Sequence, residues 1–249
     1  MKLKAIFLLS LTGLLTANSV SAGILAAKTR LLFEEGQRER SLMLANVNDY
    51  PVILQTWVDQ GQGSPDHAEI PFITLPPVSK MAARGLQSLR VVYNGQILPK
   101  DRESVYWLNL YEIPAIPQPD QQDAYISLAM NTQLKIFYRP KSLKKFELSD
   151  IAKQLNFSLQ VEQDYWKLIC DNPTAYHASM VNIQLSYQKQ MIETNAETDM
   201  MSYPKSQRQY QFNGTLPKAD QYQLNFSLID DFGNQHDFEK IFLLFNLNC

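Results

Sequence analysis

The sequence predicts an all-β protein built from two immunoglobulin-like β-sandwich domains, and three observations carry that prediction. Helical periodicity is weak along nearly the whole chain, whereas two-residue alternation of apolar and polar side chains is frequent. Short strand-like runs recur at close spacing, each bounded by turn residues. The runs fall into two sets, separated by a polar stretch that follows Arg139-Pro140-Lys141 and continues to Asp150.

The first set comprises Lys28–Phe33, Ser41–Val47, Val52–Asp59, Phe72–Leu75, Leu86–Tyr93, Ser104–Tyr111 and Ala124–Tyr138. Glu35-Gly36, Asn48-Asp49, Gly61 to Pro65, Pro76-Pro77, Asn94-Gly95 and Ile113 to Gln118 supply the turns between them. Seven short strands over about 115 residues match the count of an immunoglobulin-like sandwich. The second set comprises Phe157–Gln163, Trp166–Cys170, Ser179–Tyr187, Gln207–Phe212, Tyr222–Asp230 and Phe238–Asn246, with turns at Asn172-Pro173-Thr174 and Asp231-Phe232-Gly233-Asn234. Its independent strand count favours a separate domain over an extension of the first sandwich. The expected organisation is a first domain over 23–140 and a second over 141–249, with the hinge in 141–150. A chain of 249 residues is long enough for two cores of this size.

Residues 1–22 read as a secretory signal peptide. Lys2 and Lys4 precede the apolar run Ala5 to Leu15, and Val20-Ser21-Ala22 places small residues at the −3 and −1 positions of a cleavage site. The run is too short to anchor the chain across a bilayer, and no later run reaches the roughly 18 residues a transmembrane helix requires. The mature chain is expected to begin near Gly23, in an exported, oxidising compartment, without stable membrane insertion. The triplets at Asn156, Asn213 and Asn225 have the form of glycosylation acceptors and would matter only in a eukaryote.

Composition excludes several classes of function. The formal net charge is −2, and it becomes −4 without the two lysines of the leader, which argues against nucleic acid as a partner. Two Cys and three His are too few for a zinc-finger array or an iron–sulfur centre. His67 lies in a Gly/Pro-rich loop with Asp66 and Glu69, read as a solvated loop because no second ligand pair completes a metal site. His177 and His236 stand alone among strand and turn residues. No nucleophile elbow, phosphate loop or C-x-x-C pair occurs. The chain is therefore expected not to be an enzyme and to need neither metal nor cofactor. Cys170 and Cys249 are its only cysteines. Paired, they would close a loop of about 80 residues and stabilise the fold by roughly 4 kcal/mol on a chain-entropy model; two unpaired thiols, with Cys170 buried in a strand, is the alternative.

Residues 98–114 read LPKDRESVYWLNLYEIP. From the residues alone this is a turn, Pro99-Lys100-Asp101, feeding an alternating strand in which Val105, Trp107 and Asn109 share a face. The stretch resembles the periplasmic pilus chaperones of the chaperone–usher pathway. Their signature has the form Leu-Pro-x-Asp-Arg-Glu-Ser, an aromatic strand, Asn-Leu and a terminal Ile-Pro. Leu98, Pro99, Asp101, Arg102, Glu103, Ser104, Trp107, Asn109, Leu110, Ile113 and Pro114 supply each element. The resemblance extends over the mature chain through Thr29-Arg30-Leu31-Leu32-Phe33, Leu75-Pro76-Pro77, Leu134-Lys135-Ile136-Phe137-Tyr138-Arg139-Pro140, Asn172-Pro173-Thr174 and Ile229-Asp230-Asp231-Phe232-Gly233.

That resemblance implies two immunoglobulin-like sandwiches arranged as an L, and a periplasmic protein that caps pilus subunits and delivers them to an outer-membrane usher. It implies that Arg30 and Lys135 anchor the C-terminal carboxylate of the subunit. It implies a donated strand in which Ile126, Leu128 and Met130 enter the subunit's groove. Glu103, Arg139 and Asp231 correspond to a charged network between the domains. Lys135 has the opposite parity to the apolar stripe, and a bulge or a strong twist between Met130 and Lys135 would reconcile the two. The connection Ala115 to Asp123 is of moderate length and has no Cys, as in the short-loop subclass. The competing reading is a secreted two-domain immunoglobulin-like binding protein or fimbrial structural component without chaperone activity, which has no reason to carry Arg30, Lys135 and the 126–130 stripe together.

Overall fold

The computed structural model describes residues 23–65, 69–114, 128–161, 165–217 and 219–243. In the first half, strands β1 (Ile24–Ala26), β2 (Arg30–Glu34), β3 (Glu39–Asn46), β4 (Val52–Asp59), β5 (Phe72–Leu75), β6 (Val78–Met81), β7 (Leu86–Tyr93), β8 (Ser104–Pro114) and β9 (Met130–Arg139) form two sheets. One has the order β1-β3-β7-β5 and the other β2-β9-β8-β4-β6. All pairings are antiparallel except β2 with β9, which is parallel. Each sheet turns one face inward, so Leu42, Leu44, Leu89 and Val91 meet Leu54, Leu108, Leu110 and Ile136 between the sheets.

The second half opens with helix α1 (Leu148–Gln154) and continues through β10 (Asn156–Val161), β11 (Trp166–Asn172), β12 (Ala178–Tyr187), β13 (Gln190–Glu193), β14 (Met201–Ser202), β15 (Ser206–Gln211), β16 (Gln221–Ile229) and β17 (Gln235–Leu243). A three-stranded sheet, β10-β11-β15, packs on β13-β12-β16-β17, with β14 paired to β12. Trp166, Leu168, Met180, Leu185, Tyr210, Tyr222 and Phe226 fill the core between them.

Strands β4, β5 and β7 have the bounds read from the sequence. β8 continues to Pro114 because Val52 at the start of β4 pairs with that residue. Four strands were not anticipated. β1, β6, β13 and β14 have two to four residues each, too short to display an alternation. The double proline lies between β5 and β6, where the chain leaves one sheet for the other, and Thr56 N–H donates to Pro77 O at 2.7 Å there. Helix α1 starts within the stretch expected to be a hinge. It has seven residues and buries only Ile151 and Ala152, so its sequence carries no apolar stripe.

Candidate functional site

Strand β9 is the element on which the site is built. Its partner β2 covers only part of it, from Arg30↔Lys135 to Glu34↔Arg139, whereas β8 covers it from Met130 to Tyr138. Along Met130–Leu134, no strand among the described residues lies on the β2 side, leaving an open backbone edge. The two faces of β9 differ. Leu134, Ile136 and Tyr138 enter the core of their own sandwich. The same face continues outward through Met130, 51% exposed, and Leu128, 72% exposed, where no described residue buries it. Ile126, the third residue of the expected stripe, lies outside the described residues.

The opposite face carries Asn131, Gln133, Lys135 and Phe137. Asn131 and Gln133 each donate to Asn109 Oδ1 at 2.9 Å, and Asn109 Nδ2 donates to the buried Asp59 at 2.9 Å. This polar ladder spans β9, β8 and β4 and keeps the face in register. The β8–β9 pairing runs without interruption from Glu112↔Met130 to Ser104↔Tyr138, so no bulge in that pairing aligns Lys135 with the stripe. None is required. A chain that terminates beside Lys135 ends in the plane of the sheet, and its carboxylate can turn to either face.

At the end of the open edge stand the two cations. The parallel register sets Arg30 beside Lys135. Arg30 Nη1 donates to Ile229 O at 3.2 Å and to Ser179 Oγ at 3.4 Å, so the second domain fixes its orientation. Its guanidinium lies 5.7 Å from the centre of the Phe137 ring. Arg30 Nε is buried and has no hydrogen-bond partner among the described residues. Burial depresses the pKa of Arg30, and Asp231, Asp230 and Glu103 act in the opposite direction. Lys135 Nζ donates to Asp199 Oδ1 at 2.8 Å. Arg30, Lys135 and Asp199, with Asn131, Gln133, Trp107 and Tyr203, line a cleft of about 630 Å³.

Below the cleft, Glu103, Arg139 and Asp231 come together. Arg139 Nε and Nη2 donate to Glu103 Oε1 at 3.0 and 2.8 Å, while Nη1 and Nη2 donate to Asp231 at 2.7 and 2.9 Å. Burial opposes the charge of Arg139, but the two carboxylates hold its pKa above the ordinary value. The guanidinium also lies 5.0 Å from the centre of the Tyr176 ring. The other oxygen of Glu103 accepts the backbone N–H of His177 at 3.1 Å and faces His177 Nδ1 at 2.9 Å. His177 is thus a buried partner of the network, packed against Phe137 and Tyr203, rather than an isolated residue.

Asp231 is delivered by the hairpin turn Asp230–Asn234. Gly233 there has φ +95°, and a Cβ would stand 2.5 Å from Thr29 Oγ1 at the entry to β2. Gly233→Ala therefore adds about 1–2 kcal/mol of left-handed strain to a clash with the first domain. We expect a melting temperature lowered by several degrees. An unchanged thermal scan would show that the turn does not bear on the interdomain contact.

Among the remaining expected site residues, Cys170 is a free thiol in the core of the second sandwich, 3.8 Å from Ser202 Oγ, and not part of a disulfide in this structure. Burial pushes its pKa up to about 11. Cys249, its expected partner, lies outside the described residues, as do Asp66, His67 and the connection Ala115 to Asp123. Sequence reasoning missed Asp199, His177, Ser179 and the Ile229 carbonyl. Each reaches the site from the second domain, and no local motif announces it.

Two β-sandwiches with an open, apolar-flanked strand edge ending at paired cations define a protein that binds another chain's strand. Comparison with known proteins supplies the family. Residues 23–144 match the model described as "Pili and flagellar-assembly chaperone, PapD N-terminal domain", and residues 150–240 match "Pili assembly chaperone PapD, C-terminal domain". The chain is 32% identical to the chaperone protein FimB/FhaD of Bordetella pertussis, over 87% of each chain. It is 31% identical to the probable fimbrial chaperone YadV of Escherichia coli K12, over 87% of this chain and 89% of that one. The crystal structure of the YadV chaperone superposes with a TM-score of 0.74 at 29% identity, over 88% of this chain and 99% of that one. The chain belongs to the pili assembly chaperone family.

Proposed function

We propose that this chaperone acts in the periplasm, lending β9 to pilus subunits and passing them to an outer-membrane usher. The open edge of β9 carries this reading. A subunit strand laid along Met130–Leu134 takes the place that β2 leaves empty. If it runs parallel to β9, as β2 does, its C-terminus arrives where β2 begins, at Arg30 and Lys135. Two cations, one with a buried donor unmet, suit a terminal carboxylate and fix the register of the added strand. Leu128 and Met130 then enter the subunit's open core, each supplying about 1.5–3 kcal/mol on full burial. The charge network of Glu103, Arg139 and Asp231 holds the second domain against β9 and so maintains the cleft. Nothing in this role requires catalysis.

The test is co-expression with pilus subunits, followed by recovery of one-to-one complexes. Arg30→Ala and Lys135→Ala should each reduce recovery more than tenfold while the purified chaperones melt cooperatively. Wild-type yields from both variants would overturn the anchoring role.

A further inference from the structure

Lys135 does not stand as a bare cation. Its ammonium is paired at 2.8 Å with Asp199, and both side chains are about one quarter exposed. Asp199 lies in the connection between β13 and β14, on the second domain, and its carboxylate is held from several sides. Asp199 Oδ1 also accepts the Met201 N–H at 3.1 Å, and the backbone carbonyl of Asp199 accepts from Arg208. The Arg208 guanidinium stands 4.0 Å from Asp199 Oδ2 and is itself paired with Glu197 at 2.6 Å. Arg208 and Glu197 therefore neutralise one another, and the cleft is left with Arg30, Lys135 and Asp199. The charged residues that line it sum to one positive charge, with Asp231, Asp230 and Glu103 acting on Arg30 from outside the cleft.

We infer that Asp199 is a resident counter-ion that occupies Lys135 in the empty cleft and competes with the terminal carboxylate of the client. This inference rests on the anchoring role of Lys135 and adds a residue that sets the strength of the anchor. Two carboxylates on one ammonium repel each other, so the arriving terminus must displace Asp199 or share Lys135 with it. Either way, part of the attraction is spent on exchange rather than gained. The device limits affinity for a free terminus and favours release, because Asp199 is at hand to recover the lysine when the client strand leaves. It also disfavours a client end that carries more than one negative charge. Arg30 is not held in this way: its described hydrogen bonds go to a hydroxyl and a carbonyl, while Asp231, Asp230 and Glu103 act on its charge without bonding to it.

The experiment uses the mature protein and two synthetic peptides, acetyl-Ser-Val-Thr-Val-Thr-Val-Tyr with a free carboxylate and the same peptide amidated. Each is titrated into wild type, Asp199→Asn and Lys135→Ala. Asparagine keeps the size of the side chain and can still accept the Met201 N–H, and a thermal scan checks that it folds. The acid should bind Asp199→Asn about tenfold more tightly than wild type, while the amide binds both equally. Acid affinity for Asp199→Asn that is equal to wild type, weaker or undetectable would overturn the inference. So would an equal gain for the amide. Lys135→Ala separates the two levels: Arg30 remains, so a preference for acid over amide reduced severalfold from wild type supports Lys135 as an anchor, and a preference as large as that of wild type defeats the anchoring role of Lys135. If the preference falls in Lys135→Ala yet Asp199→Asn shows no gain, the anchor stands and the counter-ion role fails.

Discussion

Leu128→Glu should abolish recovery of the subunit complex while the melting temperature stays within about 2 °C of wild type. Leu128 is 72% exposed, two residues before β9, and belongs to no core cluster among the described residues. Substitution at such a surface position changes folding stability by no more than about 0.5 kcal/mol, which for a chain of this size is one or two degrees. In the complex the same glutamate would be pressed into an apolar groove without a partner. An unpaired buried charge costs several kcal/mol, enough to weaken binding at least a hundredfold. Both quantities are measured on one purified variant. A large fall in melting temperature would place Leu128 in its own sandwich, and normal recovery of complex would remove it from the interface.

Arg139→Ala should be the most destabilising single change in the interdomain network. Glu103 has a side chain only 2% exposed, and it would lose both donors of the guanidinium, keeping only His177. Removing one partner of a buried pair costs about 3–5 kcal/mol, because the remaining charge is left unneutralised. At roughly 2–4 °C per kcal/mol, the expected drop in melting temperature exceeds about 6 °C. Calorimetry should also resolve two transitions where the wild type shows tighter coupling, since the domains lose their shared charge cluster. The double variant Arg139→Ala/Glu103→Gln should recover at least half of the lost stability, because an amide carries no charge to desolvate. A single variant that melts like wild type would show that the network contributes little. Failure of the double variant to recover would place the loss in packing against Tyr176 instead.

The sequence by itself determined the sandwich fold, most of the strands and the residues that bracket the cleft. Alternation and turn chemistry are local signals. Val52–Asp59 declares itself a strand from its own eight residues, and Leu98 to Pro114 carries enough of a family pattern to name its relatives. Glu103 was legible through that same pattern, and Arg30, Lys135, Arg139 and Asp231 through the shorter segments that share the resemblance.

Tertiary structure alone decided what those residues face. The open edge of β9 exists because β2 begins only at Arg30, a fact of pairing length that no property of either strand reveals alone. The parity of Lys135 suggested a bulge, and an uninterrupted register with the stripe and the cations on opposite faces took its place. Asp199 meets Lys135 across 64 positions of chain, and His177 meets Glu103 across 74. A carboxylate in a connecting loop looks solvated until folding brings a cation to it. Contacts between two domains are set by how the sandwiches dock, and neither periodicity nor turn chemistry encodes that docking.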